Sequence, residues 1–225
     1  MDEPDSTSDP GDAAEAQRVA RREVWIEIIS VVVLAVTALA TAWSSYQASL
    51  WDGIQSSDYS QSSAARTHAA QLRGAANQYR LADLSLLERY VDATLGGDTT
   101  TADFYAQRFS PALRPAYDAW IALDPFDDPS APPSPLTMPE YQVPQDAEAQ
   151  QLEERADQLF DDGEKANAIS DAYTLTTLLF AAVLFFTAIS ERFEYLPARR
   201  ALLGLAGVGL VAGIVTAAMQ PITGG

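Results

Sequence analysis

The stretch A-W-S-S-Y-Q-A-S-L-W-D-G, Ala42 to Gly53, decides how this chain is read. It stands where a long apolar run turns polar, yet it carries Trp43, Tyr46 and Trp51 and no helix breaker before Gly53. Amphipathic rings gathered at the end of an apolar run mark the headgroup layer of a bilayer, and without Pro or Gly a helix has no local reason to stop there. We therefore read a membrane boundary crossed by a helix that continues beyond it.

Upstream lies V-W-I-E-I-I-S-V-V-V-L-A-V-T-A-L-A-T-A-W, Val24 to Trp43, which with its aromatic end makes residues 24–46 the first candidate span. At ~1.5 Å per helical residue it is long enough for a ~30 Å hydrocarbon layer. Glu27 lies about one turn inside, where a carboxylate still reaches the headgroups; the alternative is a carboxylate that faces a pore. Ala38-Leu-Ala40 and Ala40-Thr-Ala42 have the small-x-small form that signal peptidase accepts, but the apolar run exceeds a typical signal core and passes into aromatics, which favours a retained span. Residues 1–17 are acidic, contain Pro, Gly and Ser, and lack bulky apolar groups. They are expected to be disordered.

Downstream there is no Pro between Pro10 and Pro111, so the helix can run on until Gly96-Gly97. Ala65, Ala69, Leu72, Ala76, Tyr79, Asp83, Leu86, Tyr90 and Ala93 recur at alternating spacings of four and three, a coiled-coil-like seam for a near-antiparallel neighbour. A second water-facing helix, broken by Pro111 and Pro115, is expected within residues 100–123. Residues 124–144 hold seven of the 13 prolines and form a non-helical crossover. From Asp146 the chain is again free of Pro until Pro197, and Leu152, Ala156, Leu159, Gly163, Ala166, Ser170, Tyr173, Thr177 and Phe180 repeat the seam. This helix leads into a second span at 172–190, and a third follows at 201–219. The expected fold is an all-α membrane protein: three transmembrane helices, with a long helical hairpin or bundle, residues 47–171, outside the bilayer between spans one and two.

Charge sets the orientation. Arg18, Arg21 and Arg22 flank the first span, and Arg192, Arg199 and Arg200 occupy the loop between the other two. Positive flanks stay cytoplasmic, which places the N-terminus inside and residues 47–171, with 21 acidic and eight basic residues, outside the cytoplasm of a cell inner or plasma membrane. Trp43, Tyr46 and Trp51 then form the outer interfacial belt, and Trp25, Phe193 and Tyr195 the inner one. A net charge of -17 with no basic cluster argues against nucleic acid as a partner.

No catalytic, cofactor or metal residue is nominated. His68 is the sole histidine and there is no Cys, so multi-His and thiolate sites are excluded. Asp127-Asp128, Glu153-Glu154 and Asp161-Asp162 lack EF-hand spacing and read as solvated faces. The third span is richer: Gly204, Gly207, Gly209 and Gly213 concentrate small residues, and Gly209 to Gly213 is a GxxxG. Such spacing lets helices approach closely, within one chain or between copies, so Gly204, Gly209 and Gly213 are candidate contact residues. Thr37 and Thr41, with Thr174, Thr176, Thr177 and Thr187, either hydrogen-bond within the helix bundle or, with Glu27, line a polar path.

The run W-S-S-Y-Q-A-S-L-W-D-G-I-Q (Trp43 to Gln55), followed by Tyr59 and then Ser62-Ser-Ala-Ala-Arg66, resembles a stretch of uncharacterised bacterial three-span integral membrane proteins. The resemblance implies an N-terminal span, a long helical insert and two closing spans. It implies no activity and no cofactor. Three functions follow as expectations: a non-enzymatic oligomeric scaffold or accessory subunit of a membrane complex; an oligomeric ion channel or small-solute pore lined by the first spans; and an extracytoplasmic sensor that needs a separate output partner. The lipid bilayer is the common partner of all three.

Overall fold

The first helix, α1, runs from Pro10 to Leu95 without interruption in the computed structural model, which describes residues 10–193 and 195–223. Gly53 and Gly74 lie inside it. An isolated glycine costs a helix ~1 kcal/mol relative to alanine, too little to end one that is held along its length. The double glycine does end it. Gly97 adopts φ +76, its N–H donates to Thr94 O at 3.1 Å, and the N–H of Asp98 donates to Ala93 O at 2.9 Å. These two bonds satisfy carbonyls of the last turn, and the left-handed residue between them is one that only Gly adopts without strain.

Four further α-helices follow: α2 (Thr99–Ala106), α3 (Leu113–Ile121), α4 (Pro144–Ser190) and α5 (Leu196–Met219), with a single 3-10 turn at Pro135–Thr137. Among the described residues every regular element is helical, so the fold class is all-α. The helix expected within residues 100–123 is two helices. Its break falls at residues 107–112, while Pro115 sits in the first turn of α3, where its missing N–H has no partner to lose. The acidic segment also needs correction. Residues 1–9 lie outside the described residues, but α1 already begins at Pro10, inside the stretch expected to be disordered. Pro suits the first helical position, and Ala13, Ala14 and Ala16 are strong helix formers.

The chain divides into two units, residues 1–56 with 163–225, and residues 57–162. In the first, the pattern is inverted relative to a water-soluble bundle. Ser30, Thr37 and Ser44 on α1, Thr176, Thr187 and Ser190 on α4, and Ala206 and Gly213 on α5 are buried, while Val31, Leu39, Leu175, Phe185, Val208 and Val211 are exposed. Recurrence at seven residues, as in Ser30, Thr37 and Ser44, or Tyr173, Phe180 and Thr187, keeps one stripe of each helix inward at a shallow crossing angle. Only 11% of the apolar window of α1, 28% of that of α4 and 11% of that of α5 is buried. In water so much exposed apolar surface would aggregate. All three helices are long and apolar enough to cross a membrane, consistent with a multi-pass membrane protein.

In the second unit, residues 57–95 of α1 run antiparallel to residues 144–162 of α4. The ion pairs give the direction: Arg66 with Asp157 at 3.0 Å, Arg73 with Glu153, and Arg80 with Asp146. Each exposed pair is worth only ~0–1 kcal/mol. They set register more than stability. Between the helices Ala69, Ala76, Ala149 and Ala156 are completely or almost completely buried, and Ser62 donates to Ala156 O at 2.7 Å. The larger core lies at the other end, where Leu87, Tyr90, Ala102, Ala106, Phe109 and Leu113 cluster. There the rings of Tyr90, Phe109 and Tyr117 meet edge to face with centroids 4.9–5.7 Å apart, an arrangement favoured by their quadrupoles. Trp120 fastens the proline-rich crossover to α3 by donating to Pro132 O at 2.7 Å.

Candidate functional site

Asp83 occupies a seam position of α1 and is almost fully buried. A carboxyl taken out of water needs donors. Two hydroxyls supply them, both to Oδ2: Ser110, in the break before α3, at 2.8 Å, and Tyr141, near the end of the crossover, at 2.9 Å. Ser110 is held in turn by the N–H of Leu113 at 3.0 Å, which caps the start of α3. Arg80, one turn before Asp83 on α1, pairs with Asp146 and donates to Asn77 Oδ1 at 3.0 Å. Burial first, and then the hydrogen bond and charge of Asp83, push the Tyr141 phenol well above the ordinary tyrosine range. The network thus ties α1, the α2–α3 break and the crossover together through neutral donors.

A cleft of about 310 Å³ lies beside it, lined by Tyr79, Ser110, Pro111, Gln142, Val143 and Pro144. Its volume is at the low end for small-molecule sites. Every titratable group of the network is already engaged, and among the described residues no three His, Asp or Glu side chains converge in a way that could hold a metal ion. What the arrangement does chemically is brace a small domain.

The residues nominated in the first unit divide by location. Trp25, Trp43, Tyr46, Phe193 and Tyr195 are exposed. Trp51 is half-buried instead and donates its indole N–H to Pro221 O at 3.2 Å. Tyr173 donates to the same carbonyl at 3.3 Å, and the N–H and hydroxyl of Thr223 donate to Gln47 Oε1 at 3.2 and 3.0 Å. The described residues after α5, 220–223, are therefore clamped onto α1 and α4. Between those two helices Ser170 donates to Asp52 Oδ1 at 2.6 Å and to Ala48 O at 3.1 Å.

Thr37 and Thr41 are one turn apart on α1, but Glu27 is not brought to them. Glu27 is exposed, whereas Thr37 is buried and donates to Val33 O, and Thr41 is half-buried and donates to Thr37 O. Of the glycines, Gly213 faces the ring of Phe180 so closely that a Cβ there would collide with it, and a Cβ on Gly209 would lie 2.9 Å from Val183 Cγ2. The GxxxG is thus the contact of α5 with α4 inside one chain. Gly204 makes no such contact within the chain: a Cβ there would meet nothing within 4 Å, because it lies on the outer face of α5.

Sequence reasoning placed Asp83 on the seam but did not single it out as a buried carboxyl, and it missed Tyr141, Ser44 and Gln47. A signal existed for Asp83, since an acidic residue in a row of Ala, Leu and Tyr must find donors. Ser44 continues the seven-residue spacing of Ser30 and Thr37 and could have been found the same way. Tyr141 had none, because its partner is 58 residues away. Comparison with known proteins gives no family model, no curated protein and no solved structure that matches the chain.

Proposed function

We propose that this chain is a non-enzymatic integral membrane protein that serves as an oligomeric scaffold or as an accessory subunit of a membrane complex. The observation that carries the reading is an exposed apolar face of α1 in the second unit, where Leu81 is 67% exposed and Leu84, one turn from it, is exposed as well. Beside them the interior is braced by Asp83, Ser110 and Tyr141, so the unit presents apolar side chains on a stiff support. Stiff supports suit docking, because little order is lost on association.

In this reading the arginines beside the first span, with Arg192 before α5 and Arg199 and Arg200 near its start, hold the N-terminus in the cytoplasm, and residues 57–162 stand outside it. Buried and half-buried hydroxyls in the spans are used for helix contact, which leaves the pore reading with less support: Thr37 points its hydroxyl at its own helix, and Glu27 lies elsewhere. The test is purification from native membrane in mild detergent, followed by light scattering and identification of co-eluting proteins. A self-assembled complex or a stoichiometric partner is expected, weakened by Leu81→Asp. A chain that elutes alone as a monomer of 24.3 kDa sinks the proposal.

A further inference from the structure

In the first unit almost every buried or half-buried hydroxyl of the apolar helices follows one rule. Ser30, Thr37 and Thr41 on α1 and Thr176, Thr177 and Thr187 on α4 donate to the carbonyl four residues back, and Ser190 to the one three back. This is how a hydroxyl is satisfied where no water is at hand. Ser44 departs from the rule. It is completely buried and its Oγ has no partner. One turn further along α1, Gln47 is buried too; its Oε1 accepts from Thr223, but its Nε2 has no partner. An unpaired polar group in such surroundings carries a full desolvation penalty, so two of them a turn apart call for an acceptor.

Ser44 also lines a groove of about 440 Å³ between α1 and α5. Its walls are otherwise apolar: Val36, Leu39 and Trp43 from α1, Phe180 from α4, Ile214 and Ala218 from α5. The groove is polarised along α1. From Val36 to Ser44 is about 12 Å of helix, apolar throughout its lower part, with the interfacial Trp43 and the unpaired hydroxyl of Ser44 at one end. The complementary ligand is an apolar chain that ends in an oxygen acceptor at headgroup depth.

We propose that this groove is a binding site for one acyl-ester lipid of the surrounding bilayer, with its chain along Val36, Leu39 and Ile214 and an ester carbonyl oxygen accepting from Ser44. The Ser44 hydroxyl is covered in the structure, and rotation about its Cα–Cβ bond to another staggered position turns it toward that oxygen. The inference rests on the membrane reading of α1, α4 and α5, and not on the scaffold role.

The experiment uses the full chain stripped of lipid in detergent and titrated with palmitoyl-oleoyl phosphatidylglycerol. Binding is read by native mass spectrometry and by the rise in Tm. Wild type is expected to hold one lipid tightly. Ser44→Ala removes a hydroxyl without a partner, so it should melt no lower than wild type when lipid-free, yet bind about fivefold more weakly, the loss of one hydrogen bond. The ether-linked analogue, which lacks the carbonyls, should bind wild type no better than the ester lipid binds Ser44→Ala. Ala218→Phe, which fills the groove, should hold no tight lipid; if it does not fold, the serine variant and the ether lipid still decide.

Equal binding of both lipids by wild type and Ser44→Ala overturns the proposal and returns Ser44 to its helix carbonyl. So does dimerisation of the lipid-free chain that Ala218→Phe abolishes, since a second copy would then cover the groove. A chain that stays in the aqueous supernatant without detergent would show instead that the membrane reading itself has failed.

Discussion

At the scale of single residues, the glycines of α5 show how position, and not composition, sets what a residue does. Gly204, Gly209 and Gly213 belong to one small-residue run, yet only the latter two face α4. Gly213→Ala should destabilise the helix bundle by about 1–3 kcal/mol, because the Phe180 ring must move. Gly204→Ala should be neutral or stabilise by up to about 1 kcal/mol, since it meets open space and alanine is the better helix former. Thermal melts of the two variants in one detergent make the comparison, and equal effects would contradict the placement of α5 on α4.

Tyr117 gives a second test at this scale. Burial first, and then its hydrogen bond to Tyr90 at 2.7 Å, push its phenol above the ordinary tyrosine value, in the same direction as Tyr141. A raised value means that the folded state keeps its proton where the unfolded chain has lost it, so stability is full below the unfolded pKa of about 10 and falls as pH climbs through the folded one. Alkaline unfolding followed by near-ultraviolet circular dichroism should therefore steepen above pH ~10, and the slope should be shallower in Tyr117→Phe and in Tyr141→Phe. An unchanged slope would mean that neither hydroxyl is protected.

At the scale of elements, the stop signals carry most of the information. α1 passes two lone glycines and ends at a pair, because only the pair provides a left-handed residue flanked by capping hydrogen bonds. Gly97→Ala should cost about 1–2 kcal/mol, the penalty of a Cβ in that conformation, whereas Gly74→Ala, with nothing within 4 Å of its Cβ, should stabilise. Urea titration of both variants checks the contrast. The four-three seams were legible for the same reason that α1 is long: period and the lack of Pro are local properties. Along the first seam Ala69, Ala76, Asp83 and Tyr90 are buried, as are Ala156, Leu159, Ala166, Ser170, Tyr173 and Phe180 along the second. Tyr79 is the exception and stands exposed beside the cleft. The break between α2 and α3 was less legible, because a Pro in the first turn of a helix and a Pro that ends one look alike in sequence.

At the scale of the whole molecule, the inverted first unit and the conventionally packed second unit imply different solvents for the two. The expected outcome is that single cysteines at Tyr79→Cys and Leu81→Cys, in a chain without native Cys, react on intact cells with a thiol reagent that cannot cross the membrane. A cysteine at Arg200 should react only after permeabilisation. The reverse pattern would invert the orientation; no reaction at any site on intact cells would contradict an exterior domain.

The sequence by itself determined the all-α class, the three apolar helices and the seams, because hydropathy, helical period and helix stops depend on neighbours within a few turns. It also held the candidate contact glycines without distinguishing them. Only the tertiary structure decided that the GxxxG closes on Phe180 within the chain, that Thr37 turns to its own helix, that Asp83 is satisfied from Ser110 and Tyr141, and that Ser44 and Gln47 are left with unpaired donors. Each of these depends on which groups from distant parts of the chain arrive at one place, and burial gives them consequence by removing the water that would otherwise satisfy every polar atom alike.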